Sequence, residues 1–231
     1  HLLTHTSGLL PGIRRGYEWL GYDAGIALAT SEASSGHSGY DYRYSDINFI
    51  LLGEIIRRIT GKPLSVFSHE SIFEPLKMLD TSFGPAPAQA ARIAPTTRME
   101  DESILRGTVH DPTARAMGGE AGHAGLFTTA HDLARYSRMI LNGGELDGTR
   151  VLQTETVELM STVQTPETIV ARRGLGFDID SPYAGPRGET FPRGSFGHSG
   201  WTGTSLWIDP FSQTTVIFLS NRNHPFGGNV L

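Results

Sequence analysis

Two short stretches carry side chains suited to proton transfer. The first is Phe196-Gly197-His198-Ser199-Gly200-Trp201, followed by Thr202-Gly203-Thr204-Ser205-Leu206-Trp207-Ile208-Asp209. It reads as two strands joined by a tight turn containing glycine. Side chains alternate along a strand, so His198 and Gly200 fall on one face and Ser199 on the other. An imidazole changes charge near neutral pH, and a glycine beside it lets a ligand or another backbone come close. That pairing suits the wall of an active cleft, but many hairpins contain His and Gly, so the tripeptide needs partners elsewhere in the chain. The second stretch is Tyr44-Ser45-Asp46, placed directly before an apolar, helix-periodic run. It offers a phenol and a carboxylate at the positive end of a helix, where backbone N–H groups converge. Asp46 is also a good N-cap, and that structural role competes with a functional one.

Other chemistries fit less well. His1 and His5 have the i, i+4 spacing of a helical metal pair, but no Glu lies between them and no third ligand is evident. The polar run ending at Ser7-Gly8 reads instead as an element giving way to a loop, and neither a metal nor a cofactor is expected. Gly118-Gly119-Glu120-Ala121-Gly122-His123-Ala124-Gly125 lacks the Gly-Lys-Ser/Thr ending of a phosphate loop. Its glycines are read as close packing beside a cleft, and His123 as structural. A nucleophile elbow requires Gly-x-Ser-x-Gly; Gly197–Trp201 and Gly36–Tyr40 both fail at the last position.

The elements that must position these groups follow from periodicity. Phe49, Leu52, Ile56 and Ile59 share one face of a helix that Gly61 ends. Pro63 suits the start of a second helix running to about Glu74. A short helix is expected near Ala24–Thr30 within a long irregular excursion. Phe83 to Arg115 reads as Pro-rich and irregular. Thr129-x-x-Asp132 begins a helix through Leu141, and another covers about Glu155–Ser161. Strand-like runs occupy Gly174–Asp180, Phe196–Gly200, Thr204–Ile208 and Thr214–Ser220, with Asp209–Gln213 as a hairpin loop. Helices and loops fill residues 1–165 and antiparallel strands residues 166–231, which predicts a single α+β domain. The 231 residues carry a net charge of −5, which argues against a nucleic-acid partner. No apolar run is long enough to span a bilayer. The absence of cysteine excludes disulfides and cysteine-based zinc sites.

Taken in chain order, these stretches resemble the serine β-lactamase and D,D-peptidase superfamily, the penicillin-binding-protein-like hydrolases that include class C β-lactamase-related esterases. Tyr44-Ser45-Asp46 is similar to the family's Tyr-x-Asn motif, with Asp where many members have Asn. His198-Ser199-Gly200 is similar to its Lys-Thr-Gly or His-Thr-Gly motif. Leu2-Leu3-Thr4-His5-Thr6-Ser7-Gly8-Leu9 looks like the segment after the nucleophile helix, and Trp207–Pro210 and Phe218–Asn221 like the next two strands. The family's Ser-x-x-Lys is missing: the residues three before Lys62 and Lys77 are Ile59 and Glu74. The resemblance places that motif upstream of His1, so the chain as given is expected to be inactive and its parent an enzyme. A closing C-terminal helix is expected beyond Leu231.

The resemblance implies an acyl-enzyme mechanism on D-Ala-D-Ala peptides, β-lactams or small esters. Tyr44 and His198 would be catalytic, the backbone N–H of Trp201 would form half of an oxyanion hole, and Asp46, Ser199 and Gly200 would contact substrate. Tyr44 would need nearby positive charge to act as a base; His198 is expected to supply part of it, so activity should follow His198 protonation. Gly200 would leave room for substrate. The family implies a periplasmic, secreted or membrane-anchored protein, and the oligomeric state stays open. Two other readings stand beside the enzyme: a non-catalytic scaffold or binding module of the same fold, and a His-based metalloprotein.

Overall fold

The computed structural model describes residues 1–14, 18–32, 34 and 36–227. The chain is α+β, a mixture of helices and one larger antiparallel sheet. In order, the elements are α1 (Tyr22–Ser31), α2 (Asp46–Thr60), α3 (Leu64–Ser68), β1 (Ser82–Phe83), β2 (Thr97–Arg98), β3 (Ile104–Leu105), α4 (Pro112–Ala116), β4 (Leu126–Phe127), α5 (Ala130–Leu141), β5 (Glu145–Leu146), β6 (Thr149–Arg150), α6 (Thr154–Ser161), β7 (Arg172–Arg173), β8 (Asp178–Asp180), β9 (Phe196–Ser199), β10 (Thr204–Asp209) and β11 (Thr214–Leu219). The five-stranded sheet runs β11-β10-β9-β8-β7, each neighbouring pair antiparallel.

Two apolar cores flank the join between sheet and helices. One packs Met139 and Ile140 of α5 and Val157 of α6 against Phe177, Ile179, Phe196 and Ile208. The other packs Ile26 and Ala29 of α1 against Ile47 and Ile50 of α2, with Ala114 and Met117. Tyr44 directly precedes α2 of the second core, and His198 lies on β9 of the sheet that faces the first. At the edge of the sheet, β11 leaves Val216, Phe218 and Leu219 between 40% and 51% exposed.

Local signals held where they were strongest. Gly61 closes α2 with φ 69 in the left-handed region, and its N–H returns to the Arg57 carbonyl. Thr129 caps α5 by accepting the Asp132 N–H at 3.2 Å. The helix after Pro63 reaches Phe73 as expected, α3 continuing directly into a π-helix over His69–Phe73. Three readings need correction. Asp46 is the first residue of α2 rather than its cap; Ser45 holds the cap position, and its hydroxyl donates instead to the Leu10 carbonyl at 2.6 Å. The run Gly174–Asp180 is a turn followed by β8, because the Gly174 N–H closes back on the Phe177 carbonyl at 3.0 Å. Phe83–Arg115 is not all irregular: it contains β2, β3 and α4.

The glycine wall, read from the sequence as close packing beside a cleft, packs on α2. A Cβ built at Gly122 would lie 1.9 Å from the carbonyl oxygen of Phe49, a backbone atom with no room to retreat. Gly122→Ala is therefore expected to cost roughly 2–4 kcal/mol by overpacking. Urea denaturation would show it as a lowered midpoint at unchanged slope; an unchanged midpoint would mean that the contact between wall and helix is not tight.

Candidate active site

The segment from His5 to Pro11 runs beside Arg43–Asp46 and holds it in place. The Arg43 N–H donates to the His5 carbonyl at 2.9 Å and the Asp46 N–H to the Pro11 carbonyl at 2.7 Å. The Ser45 N–H donates to Nδ1 of His5 at 3.1 Å. On the sheet side, β9 pairs with β10 in the register His198 opposite Leu206. The turn between them closes with the Gly200 N–H on the Thr204 carbonyl at 2.7 Å and the Gly203 N–H on the Gly200 carbonyl at 3.0 Å.

These two frames bring the Tyr44 and His198 rings to 6.0 Å between centroids, inclined at 44°. Nδ1 of His198 donates to the Ser199 carbonyl at 2.7 Å. A carbonyl only accepts, so the proton sits on Nδ1 and the neutral ring keeps its lone pair on Nε2. Trp201 follows at the turn, a residue 73% exposed with the Arg222 guanidinium 5.5 Å from its ring centroid. Neither hydrogen bond that closes the turn uses the Trp201 N–H. A Cβ at Gly200 would lie 2.4 Å from Oγ1 of Thr204, so the glycine also accommodates its own hairpin.

The electrostatics also differ from the sequence expectation. Burial, and then the Arg173 charge, lower the His198 pKa below its usual 6.5, so at neutral pH the ring is uncharged. That works against His198 as the cation that activates Tyr44. Burial first, then the Asp46 carboxylate, push the Tyr44 phenol up to about 12, and Arg173 opposes that rise. Arg173, on β7, is fully buried with Nη1 3.5 Å from an Asp178 carboxylate oxygen. Nη2 donates to the Gly176 carbonyl at 3.3 Å, while Nε and Nη1 have no hydrogen-bond partner. A permanent buried cation thus faces Tyr44, His5 and His198.

A second cluster joins Asp46, Asp111 and His123, whose ligand-type atoms lie within 4.8 Å of one another. Nε2 of His123 and Oδ1 of Asp111 are 2.9 Å apart, and the same oxygen accepts the Ala114 N–H at 2.7 Å as the cap of α4. Asp111 is therefore already engaged by two donors. The His1 and His5 rings go separate ways: Nδ1 of His1 meets Oγ1 of Thr6 at 3.1 Å, whereas His5 is buried against Ser45 and Asn48.

A family model described as Beta-lactamase matches residues 1–230. The chain belongs to the beta-lactamase family. A protein of Escherichia coli (strain K12) named "Putative D-alanyl-D-alanine carboxypeptidase" is 34% identical over 203 residues, covering 80% of this chain and 46% of that protein. The chain spans about half the length of the curated relatives it matches. A penicillin-binding protein homolog from Caulobacter crescentus has a TM-score of 0.73 at 24% identity, over 100% of this chain and 66% of that one. A family VIII carboxylesterase has a TM-score of 0.70 at 23% identity, over 95% and 64% of the two chains. These two structures show the fold.

Within this family fold, sequence reading brought forward Tyr44, Asp46 and His198 but missed His5, Asn48, Arg173 and Asp111 as their neighbours. A buried Arg in a strand opposite an Asp leaves little local trace. Asp46 offers a direct test. Burial and the Asp111 charge raise its pKa above 3.8, with His123 opposing. The charged form is then disfavoured in the folded state, and that penalty is present at neutral pH and vanishes as pH falls through the raised value. Asp46→Asn is expected to raise the urea midpoint at pH 7 and to show no gain below about pH 3.8. An equal midpoint at both pH values would mean that the carboxylate pair carries no strain.

Proposed function

We propose that the protein carrying this chain is a serine hydrolase of the beta-lactamase family, forming an acyl-enzyme on D-Ala-D-Ala peptides, β-lactams or small esters. The observation that carries it is the convergence of the Tyr44 and His198 rings, 6.0 Å apart, from distant parts of the chain. The names of its relatives, a carboxypeptidase and a carboxylesterase, bound the substrate class. The reaction needs a nucleophilic Ser with its Lys, which the sequence between His1 and Leu231 does not contain.

In this reading the serine oxygen bonds to the substrate carbonyl carbon and its proton passes to the Tyr44–Lys pair. The Trp201 N–H stabilises the oxyanion; removing one such donor typically costs on the order of 100-fold in rate. Collapse of the tetrahedral species breaks the bond to the amine or alkoxide, which takes a proton through Tyr44. Water then cleaves the ester and returns the serine. His198, neutral with Nε2 free to accept, assists by hydrogen bonding, and Ser199 and Asp46 contact substrate.

Because the His198 pKa is lowered, its protonation should switch activity off only on the acid side of 6.5. The kcat/KM profile is expected to carry an acid limb below 6.5 that His198→Gln abolishes; a limb that persists in the variant removes His198 from the reaction. The decisive experiment labels the full-length protein with a fluorescent penicillin and a fluorophosphonate. A covalent adduct with either supports the enzyme, and no adduct with both sinks it. A second reading, a non-catalytic scaffold of the same fold, draws on the absence of Ser-x-x-Lys from these 231 residues. The sequence of the whole protein separates the two: a Ser-x-x-Lys in it favours the enzyme.

A further inference from the structure

His5 takes no part in the reaction above, yet it is among the most completely buried polar side chains, at 1% exposure. Its backbone has φ 56, in the left-handed region that few non-glycine residues adopt and that carries some strain. Such strain persists only where the surroundings hold it, and here they can be named.

Three successive residues lean on His5. The Arg43 N–H donates to its carbonyl at 2.9 Å. The Tyr44 ring stacks on its imidazole, with centroids 4.3 Å apart and planes inclined at 29°. The Ser45 N–H donates to Nδ1 at 3.1 Å. A second donor meets the same nitrogen, because the Ser7 hydroxyl donates to Oδ1 of Asn48 at 2.5 Å and so turns Nδ2 of that amide toward Nδ1 at 3.2 Å. Two donors on one nitrogen require it to be an acceptor. The imidazole is neutral, its proton is on Nε2, and Nε2 is buried with no partner. Phe49 of α2 packs at 5.1 Å on the same ring and Tyr42 meets it edge-on at 6.2 Å. Arg173 and His198 are the charged or titratable groups facing it from the sheet.

We propose that His5 is the positioning residue for Tyr44, gripping the backbone on both sides of it and the phenol ring between. The left-handed backbone at His5 places carbonyl and ring on the same short segment at once. The rest of the network, Ser7 and Asn48, orients the imidazole rather than touching Tyr44. The inference rests on the reading of Tyr44 as a proton-transfer group, but its geometric half can be tested without catalysis.

Two variants of the full-length protein separate the grips. His5→Asn keeps a short acceptor and tolerates positive φ but loses the stacked ring. His5→Phe keeps the ring and loses the acceptor. With 13C-labelled tyrosine, the Tyr44 ring resonance, assigned by its disappearance in Tyr44→Phe, is expected to move in His5→Asn. Ser45 amide exchange is expected to quicken in His5→Phe. Acyl transfer should fall roughly 10- to 100-fold in either variant through kcat, with KM within about twofold. In a Tyr44→Phe background the same changes should have no further effect on kcat. An unmoved Tyr44 resonance and unchanged Ser45 exchange overturn the proposal, as does a rate loss that persists in full without the Tyr44 hydroxyl. If Tyr44→Phe itself leaves kcat intact, the catalytic reading fails, while the resonance and exchange data still decide the positioning.

Discussion

Tyr44→Phe in the full-length protein is expected to lower the acylation rate by roughly 100- to 10,000-fold, the span typical of losing a general acid–base group. The substitution deletes one oxygen and keeps the ring. That ring is held by the His5 imidazole at 4.3 Å, Tyr183 at 5.2 Å and His198 at 6.0 Å, and none of these contacts needs the hydroxyl. Folding and substrate binding should therefore survive, and the loss should fall on kcat. The phenol stands at about 12 without its Lys, so at neutral pH it is protonated, and only an added cation brings a phenolate within reach. Arg173 supplies fixed charge from the sheet side, and the Lys of the nucleophile motif would supply the rest. Single-turnover acylation by a fluorescent penicillin, with circular dichroism to confirm the fold, measures this. A loss smaller than tenfold would take Tyr44 out of the proton path.

The second large effect is on acid stability. Burial, with Arg173 and His198 nearby, holds the His5 pKa at about 3 against 6.5 for a free imidazole. In the unfolded chain His5 takes a proton as pH drops through 6.5, whereas the folded site refuses it until about pH 3. The folded state should then lose about 1.4 kcal/mol for each pH unit between those limits. Over the whole window this comes to about 5 kcal/mol, set against a total stability of roughly 5–15 kcal/mol for an ordinary domain. His198 and His110 are shifted in the same direction and steepen the fall. Asp46, shifted upward, acts in the opposite sense. Urea midpoints between pH 4.5 and 7 should decline steeply in the wild type and less steeply in His5→Asn, by about one proton's worth of slope. Parallel declines would show that His5 protonates in place, and with it that the double-donor arrangement at Nδ1 is wrong.

These two expectations depend on parts of the molecule that sequence reading treated very differently. Tyr44 was visible because it immediately precedes a helix whose apolar spacing and closing Gly61 are local features. The β9–β10 hairpin was visible for the same reason: alternation and turn glycines act over a few residues, so His198 on its strand was legible, whereas its register opposite Leu206 came from the fold. His5 was noticed only as half of a metal spacing. Its real partners, Tyr44, Ser45 and Asn48, lie some forty positions on, and no local pattern announces a left-handed backbone at a histidine. The split of Gly174–Asp180 into a turn and β8 was missed because a short apolar and glycine run is compatible with either.

The order of motifs, the Gly61 end of α2, the Thr129 cap of α5 and the β9–β10 hairpin follow from the sequence alone, because propensity, capping and alternation are decided by neighbours in the chain. Membership of the beta-lactamase family was legible in the same way, from motifs taken in order. Which groups carry charge was decided by the tertiary structure. Only folding encloses Arg173 with Asp178, strips water from His198 and so lowers its pKa, and sets Asp46 beside Asp111. Desolvation and Coulomb energy depend on distance through space, and a linear string of residues does not contain that distance.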